Sequence, residues 1–503
     1  MIGTFMAVLD GTIVNTGLPK IMASFGVGID KIQWVVTAYM LAMAVALPTA
    51  GWLADKFGYK RMYFMGMLLF TIGSALCGMA PNEDMLIISR IIQGIGAGCV
   101  QPIGMAIVTR EFPPQQRGVA LGFWSIAAAA SVSFGPLFGG YLVDNFSWPL
   151  IFDVNIPIGI IGLLATIVIQ KEHINKQVRN FDLTGFISVS LFLPLLLYAF
   201  TEGNAVTNSA GWAAPHVLLC FGISAIAFAV FVTAELTTDQ PLIDLRLLGE
   251  HNFGICNIIM LLFGIGMFGS TFLLPLFLQN SLGNTAVQSG AVFLPVGIIQ
   301  GTMAPIIGRV ADKTNAKVPI IIGISLLTFS FILNSQFSFL TEHHFIMTSL
   351  YIRGLGLGMI FTPLNTISLL GIPREKMAQA SGITNTVRQL GGSFGVAILT
   401  TILTARITYH TQMYGEALNP NSQVYQNVQT NLGYHIQQSS GKSKVSAASL
   451  GKSVIVAQAN KEAYIQAIND DFTIAAVATI LGGLPVLLLR TKKKQLYSKS
   501  VKK

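Results

Sequence analysis

The chain has 503 residues, of which 52% are hydrophobic and only 11% are charged, and its formal net charge is +9. Soluble domains usually carry about 25% charged residues, so this composition excludes a water-soluble globular protein. The basic excess does not indicate nucleic-acid binding, because Lys and Arg gather in short loops between apolar segments, as the positive-inside rule describes for cytoplasmic loops.

Long apolar segments run through the whole sequence. A membrane-spanning helix needs about 20 mainly apolar residues. On this basis we predict an all-α membrane protein with fourteen transmembrane helices at roughly 2–23, 33–54, 62–80, 85–109, 118–142, 149–170, 183–201, 214–234, 251–280, 287–308, 318–338, 343–369, 377–406 and 470–489.

The loops between these helices alternate in charge. Every second loop is basic, and these loops hold Lys56, Lys60, Arg61, Arg110, Arg117, Lys171, Lys176, Arg179, Arg246, Arg309, Lys313, Lys317, Arg374 and Lys376. The opposite short loops hold only Lys31 beside several acids. This asymmetry predicts a multi-pass protein of the bacterial inner membrane with its N-terminus in the cytoplasm.

The first predicted helix carries Asp10 near its middle. A charged group inside a bilayer is energetically expensive and therefore has a reason to be there. Burial favours the neutral form of a carboxyl group, which suits a reversible proton carrier. We interpret Asp10 as a site of proton coupling or substrate contact. The alternative is a structural partner of Arg388 or of a hydroxyl such as Thr12.

The second predicted helix ends in Gly51-Trp-Leu-Ala-Asp-Lys-Phe-Gly-Tyr-Lys-Arg61, with Asp55 and Gly58 inside this element. Glycines permit close helix approach and a tight turn, and a carboxylate is favoured at the N-terminus of a neighbouring helix. The element therefore predicts conformational gating. The alternative is a plain basic cytoplasmic loop.

The fourth and fifth predicted helices contain two further candidates. Arg90 and Gln93 lie near the periplasmic end of the fourth, and the alternative for this arginine is snorkelling to the headgroups. The fifth contains Gly135-Pro-Leu-Phe-Gly-Gly140, in which Pro136 predicts a kink and Gly139 permits close packing. This kink is a candidate hinge or seal, and the alternative is ordinary small-residue packing.

Two of these motifs recur after about 260 residues, as parallel repeats in a transporter would. Asp55-Lys56 matches Asp312-Lys313, and Arg90 matches Arg353. The spacing predicts an N-terminal six-helix half (1–170), two linking helices (171–250) and a C-terminal six-helix half (251–503), with the substrate site between the halves.

The last two predicted helices are separated by a long polar stretch at 407–469. Helical runs of apolar residues at Val424–Ile436 and Ser446–Ala467 predict a short hairpin over the periplasmic face, whose buried side would include Leu432. A connection this long is usually functional or disordered, so we consider both a docking platform and a solvated linker. A basic tail follows at 490–503.

The motifs together resemble the major facilitator superfamily. Leu9-Asp-Gly-Thr-Ile-Val-Asn-Thr-Gly-Leu-Pro19, which includes Asn15, is similar to the first-helix signature of the fourteen-helix drug:proton antiporters, the EmrB/QacA-like group. The Arg90 and Gly135-Pro136 stretches resemble the family's fourth- and fifth-helix motifs, and Asn385-Thr-Val-Arg-Gln-Leu-Gly-Gly392 is a further group-like stretch.

The resemblance implies the major facilitator fold and proton-coupled efflux of hydrophobic or amphipathic compounds. It also implies an EmrA-like periplasmic adaptor and a TolC-like outer-membrane channel as partners, with no cofactor and no metal. The alternatives are a dedicated exporter of one metabolite and a non-transporting membrane receptor or scaffold. An enzyme is not expected, because no nucleotide-binding loop and no recognisable catalytic arrangement occurs in the sequence.

Overall fold

The computed structural model describes the chain except residues 1, 112–116, 174–180, 204, 206–207, 209, 314, 371, 373–375, 419–420, 441–442 and 491–503. Most of the predicted basic tail therefore lies outside the described residues.

The described chain is helical and contains no β-strand in these ranges. Its helices are α1 (Ile2–Phe25), α2 (Ile29–Phe57), α3 (Tyr59–Gly78), α4 (Glu83–Glu111), α5 (Arg117–Asn145), α6 (Leu150–Asp153), α7 (Asn155–Ile169), α8 (Leu183–Glu202), α9 (Pro215–Thr237), α10 (His251–Asn280), α11 (Ala286–Ala291), α12 (Leu294–Lys313), α13 (Lys317–Asn334), α14 (His343–Leu369), α15 (Met377–Ala417), α16 (Gln423–Ser440) and α17 (Lys444–Gly483).

These helices confirm the predicted all-α membrane fold. Within the described ranges, 12 segments are long and apolar enough to cross a membrane. Adding α1 and α5 to these segments gives the predicted set of fourteen, in which α6–α7 and α11–α12 each count as one interrupted span.

The structure corrects four predicted boundaries. The span predicted at 149–170 breaks at Val154, and the one predicted at 287–308 breaks at residues 292–293. In both cases a proline, Pro157 or Pro295, lies just after the break, where its ring clashes with a carbonyl four residues earlier. The helix predicted to end at 406 continues to residue 417, and the helix predicted to begin at 470 begins at residue 444.

The packing of the helices repeats along the chain. In the first set, α4 packs on α2 and α3, α1 packs on α5, and α3 packs on α7. In the second set, α14 packs on α12 and α13, α10 packs on α15, and α13 packs on α17. The linking helices α8 and α9 pack mainly on each other. The contacts within the second set thus parallel those within the first.

The two sets of helices meet at one end of the bundle, which we call the hairpin end because α16 lies there. The Asp144 carboxylate on α5 accepts hydrogen bonds from the backbone N–H groups of Ala286 (3.2 Å) and Val287 (2.7 Å) at the start of α11. Gln279 Nε2 donates to the carbonyl of Thr16 over 2.9 Å. The carboxylate thus satisfies unpaired amides at a helix N-terminus across the interface.

The opposite end, which carries the α2–α3 turn and the predicted cytoplasmic loops, is called the basic end. Here a Cβ added to Gly51 of α2 or to Gly382 of α15 would meet no atom within 4 Å. The same helices touch in mid-bundle, where a Cβ at Gly392 would lie 3.3 Å from Met40 Cε. The halves are therefore joined at the hairpin end, whereas these two glycines do not lie at a close helix contact at the basic end.

The stretch between the last two spans is an ordered helical hairpin. The 18 residues of α16, about 27 Å of helix, pack against the first part of α17. Leu432 and Ile436 of α16 are half-buried in this contact, and Gly433 and Gly451 are buried at it. The side chain of Val424, which we expected on the same face, lies outside the described residues. Because α15 and α17 run continuously into this region, the hairpin is joined to the membrane bundle by helices.

Close approach between α3 and α4 generates a prediction about stability. A Cβ at Gly73 would lie 2.6 Å from the backbone nitrogen of Gln93, so Gly73→Ala must push the two helices apart. Overpacking typically costs about 1–3 kcal/mol. We expect Gly73→Ala to lower the thermal unfolding temperature of the detergent-purified protein. The matched control is Gly222→Ala on α9, where a Cβ meets nothing within 4 Å. Equal unfolding temperatures for the two variants would contradict the packing argument.

Candidate functional site

A buried charge pair lies among the N-terminal helices. Asp10 of α1 and Arg90 of α4 form an ion pair, and their side chains are 0% and 1% exposed. Two amides complete the shell around Asp10 Oδ1: Gln93 Nε2 donates to it over 2.8 Å, and Asn155 Nδ2 donates over 3.0 Å. Asp10 is thus the acceptor on which three side chains from two other helices converge.

The positions of these donors follow from helix geometry. Residues three apart lie on the same face of a helix, which places Arg90 and Gln93 side by side on α4. Arg90 Nη1 donates to Gln93 Oε1 over 2.7 Å, and Arg90 Nε donates to the Val35 carbonyl of α2 over 2.8 Å. The guanidinium carbon lies 4.0 Å from the centre of the Tyr39 ring, whose hydroxyl donates to the Ala7 carbonyl over 2.8 Å. These contacts exclude the snorkelling alternative for Arg90.

A second polar layer joins α3 and the interrupted span to the pair. Gln93 Nε2 and Asn155 Nδ2 each lie 3.1 Å from Ser74 Oγ, which accepts from both. Ser74 Oγ donates in turn to the Phe152 carbonyl over 2.8 Å. Asn155 is the first residue of α7, directly after the break at Val154, so the break brings its amide to the centre of the bundle.

In this arrangement, protonation of Asp10 would change the contacts that hold the surrounding helices together. Ionised Asp10 compensates the Arg90 charge, and removal of one partner from a buried pair leaves an unpaired charge at a large energetic cost. A proton on Asp10 would weaken the pair and free the guanidinium to take other partners. Because the shell draws on α1, α2, α3, α4 and the α6–α7 span, a change at Asp10 reaches most of the N-terminal set.

The remaining residues of the predicted coupling site do not join this network. Asn15 lies on α1, 7% exposed, with no hydrogen-bond partner for its Oδ1 among the described residues. Arg388 of α15 donates to Asn385 Oδ1 over 3.0 Å, not to Asp10. Thr12 Oγ1 contacts the carbonyls of its own helix and of Ser131. Neither alternative partner of Asp10 is therefore its partner in this conformation.

The loop motif after α2 forms a tight turn at the basic end. Gly58 has φ 101°, a backbone conformation that favours glycine, and it separates α2 from α3. Asp55 Oδ1 accepts a hydrogen bond from the Tyr59 hydroxyl over 2.8 Å, which links the end of α2 to the first residue of α3 across the turn. Arg61 lies 3.6 Å from Glu172 but is 72% exposed, which makes this a weak surface pair.

The glycines of α5 lie at helix crossings. A Cβ at Gly135 would lie 2.2 Å from Thr12 Oγ1, and one at Gly139 would lie 2.5 Å from the Ile13 carbonyl, so both face α1. A Cβ at Gly140 would lie 2.2 Å from the Ala286 carbonyl of α11. The carbonyl of Pro136 lies 2.1 Å from the Cβ position of Gly290. The motif therefore seals α5 against α1 on one side and against α11 on the other.

Arg353, the arginine of the repeated motif, has no acidic partner among the described residues. Arg353 of α14 is 2% exposed and donates through Nη2 to the Met267 carbonyl over 3.0 Å and to the Thr271 hydroxyl of α10. No carboxylate of the described chain forms an ion pair with it, and its Nη1 has no hydrogen-bond partner there. Asp312 lies in the last turn of α12, and its side chain lies outside the described residues.

Three members of the network were absent from the predicted site: Ser74, Tyr39 and Asn155. The Asn-x-Pro sequence at 155–157 carried a signal, because a proline following an asparagine in an apolar segment indicates an interrupted helix. Ser74 and Tyr39 carry no such signal, since single polar residues occur in many membrane helices.

Comparison with known proteins identifies relatives along most of the chain. The family model described as Major Facilitator Superfamily matches residues 1–396. The chain is 32% identical to the multidrug export protein EmrB of Escherichia coli, over 88% of this chain and 86% of that protein. It is 33% identical to the multidrug resistance protein Stp of Mycobacterium tuberculosis (84% and 78%). It is also 33% identical to the riboflavin transporter RibZ of Clostridioides difficile (83% and 91%).

The fold also has counterparts among solved structures. A bacterial homologue of the human lysosomal transporter Spinster, in an inward-facing and unoccupied conformation, superposes with a TM-score of 0.59. The match covers 98% of this chain and 97% of that chain at 16% sequence identity. At this identity the likeness concerns the fold alone.

The buried pair generates a prediction about stability. Arg90→Met would leave Asp10 buried without its counter-charge, and breaking such pairs typically costs about 3–5 kcal/mol. We expect a lower thermal unfolding temperature for Arg90→Met, and substantial recovery when Asp10→Asn is added in the same chain. Recovery is expected because the neutral pair leaves no uncompensated charge. A double variant that loses the sum of the two single losses would show that the two residues do not interact.

Proposed function

The chain belongs to the major facilitator superfamily, a family of membrane transporters, and we propose that it is a proton-coupled exporter of hydrophobic or amphipathic compounds in the bacterial inner membrane. The observation that carries this proposal is the fully buried Asp10 held by Arg90, Gln93 and Asn155. A scaffold or receptor has no need of such a group, because a hydrophobic residue would fill the space at lower energetic cost.

The export cycle follows from the two ends of the bundle. With the predicted orientation, we infer that substrate enters at the cytoplasmic, basic end, while Asp10 is paired with Arg90 as it would be after releasing a proton. Opening at the periplasmic, hairpin end then lets substrate leave and gives Asp10 access to a proton. Protonation loosens the pair and allows the network helices to return. One conformational change thereby exchanges proton for substrate, as alternating access requires.

The gating residues support this cycle at both ends. Opening the hairpin end requires α5 to separate from α11, and the contacts to break are those at Gly140, Pro136 and the Asp144 cap. Closing the basic end requires α2 and α15 to approach around Gly51 and Gly382, which leave room for it. Because only Gly58 separates α2 from α3, α3 would then move together with α2.

Breadth of substrate is inferred from two relatives. EmrB and Stp are named for multidrug export and multidrug resistance, and this chain is about a third identical to both. The competing proposal is transport of a single solute, favoured by the equally similar riboflavin transporter RibZ. A panel of chemically unrelated dyes and riboflavin, tested in the same vesicles, separates the two.

A periplasmic adaptor is the proposed partner of the hairpin, with an outer-membrane channel beyond it. Support comes from the hairpin's continuity with the spans and from exposed apolar side chains on α16 and α17, including Tyr434 (58%), Val428 (44%) and Val454 (48%). Apolar residues exposed on an extramembrane element are typical of protein interaction sites.

The proton-coupling role of Asp10 predicts a selective loss. Asp10→Asn keeps the shape and hydrogen-bonding capacity of the side chain but cannot exchange a proton. We expect gradient-driven efflux activity, measured as dye accumulation inside inverted membrane vesicles, to fall to background, with normal amounts of protein in the membrane. Asp153→Asn, at a half-exposed acid on the same side of the bundle, serves as the matched control and should retain efflux. Undiminished gradient-driven efflux by Asp10→Asn would refute the role.

The adaptor proposal predicts a difference between vesicles and cells. Replacing 423–461 by a few glycines and serines removes the hairpin but leaves the membrane bundle. Vesicle transport should persist, whereas drug resistance of whole two-membrane cells and co-purification with an adaptor should be lost. Full resistance of cells that carry the shortened chain would contradict a docking platform.

A further inference from the structure

Another buried acid lies far along the chain from Asp10. Asp471 of α17 is 0% exposed, and neither of its carboxylate oxygens has a hydrogen-bond partner among the described residues. Its position on α17 is the point where this helix enters the packed bundle from the hairpin, beside α10, α13 and α15. Buried polar side chains almost always find partners, so a carboxyl group with none needs a physical explanation.

The neighbouring charges do not compensate Asp471. Arg406 Nε and His410 Nε2 of α15 both contact Asp470 Oδ2, over 2.5 Å and 2.7 Å, so the adjacent acid takes both basic groups. On α10 the nearby polar group is the uncharged Asn280, which donates to the Tyr464 hydroxyl over 3.4 Å. In α13 the sequence from 318 to 334 contains no charged residue. On α17 itself the titratable groups at this level are Asp470 and Tyr464.

An ionised carboxylate in such a site would carry a buried and uncompensated charge, which is far more costly than a buried neutral carboxyl group. We propose that Asp471 is a second proton-binding site of this transporter, located in the C-terminal helices at the hairpin end. In the conformation described here it holds its proton, whereas Asp10 is paired with Arg90 as a carboxylate. The two acids are therefore in opposite states, because one has a counter-charge and the other has none.

A change in the neighbouring charges would release that proton. The Asp470 side chain is 33% exposed and lies next to Asp471 in the chain, so water at the hairpin end reaches the adjacent acid. A shift of α15 relative to α17 that moves Arg406 from Asp470 toward Asp471 would stabilise the ionised form and release the proton. Arg353, the repeat of Arg90, has no acidic partner on α10, so the C-terminal helices place their buried acid on α17 instead.

The proton itself is the ligand in the first test. Purified protein in lipid membranes is titrated from acid to alkaline pH and followed by infrared difference spectroscopy of the protonated carboxyl C=O stretch. We expect a band of a carboxyl group without hydrogen bonds that disappears as pH rises, is missing in Asp471→Asn and is retained in Asp470→Asn. A band that persists in Asp471→Asn, or no titrating band in the wild type over the range in which the protein stays folded, would overturn the proposal.

A second measurement tests participation in transport, and this part rests on the proposed function. Ethidium accumulation in the lumen and proton release from it are measured together in inverted vesicles. Asp471→Asn should lower the number of protons exchanged per ethidium, and Asp471→Glu should restore it. An unchanged ratio in Asp471→Asn would assign the residue a structural role and overturn its part in coupling. If wild-type vesicles do not move ethidium, multidrug export fails for this compound, while the infrared titration still decides whether Asp471 binds a proton.

Discussion

The cost of placing charge away from water governs this protein. A membrane bundle has no solvent with which to pair an acid or a guanidinium, so a buried charge is costly unless a neighbour compensates it or a proton neutralises it. Asp10 and Arg90 compensate each other's charge, and the side-chain amides of Gln93 and Asn155 donate further hydrogen bonds to Asp10. Since those partners come from several helices, the relative positions of these helices depend on one carboxyl group.

Glycine supplies the second constraint, because the polar network exists only where helices approach closely. Gly73 brings the backbone of α3 against Gln93, and this contact places the neighbouring Ser74 within reach of two amides. Gly135 and Gly139 bring α5 equally close to α1. Small residues at helix crossings replace the hydrophobic driving force, which is absent between helices that already lie in lipid. Gly140, the next residue of α5, makes the corresponding close contact with α11 at the hairpin end.

The two sets of helices share their packing but not their charges. α14 repeats the contacts of α4, and Arg353 repeats the position of Arg90, yet α10 has no counterpart of Asp10. The acidic group of the second set lies on α17, at the junction with the hairpin. The charged residues can differ between the two sets without a change in packing. Packing depends on shape along a whole helix, whereas coupling depends on a few polar atoms.

Much of the fold was determined by the sequence alone. The length and apolar character of the segments predicted the helices and their number, because a lipid environment allows few other structures. The repeated motifs predicted the two related sets, and the isolated charges of Asp10 and Arg90 marked a site. The sequence also indicated the helical hairpin through its apolar runs. All of these signals are local or periodic features of the sequence, so they can be recognised without the tertiary structure.

Only the tertiary structure decided which residues meet. It paired Asp10 with Arg90 and not with Arg388, added Asn155, Ser74 and Tyr39 to the shell, and left Asp471 without a partner. It also showed that α15 and α17 both continue from the bundle into 407–469, on either side of α16. These outcomes depend on the rotation and separation of helices that are distant in the chain. Such quantities are determined by the combined close packing of many side chains, and no single motif encodes them.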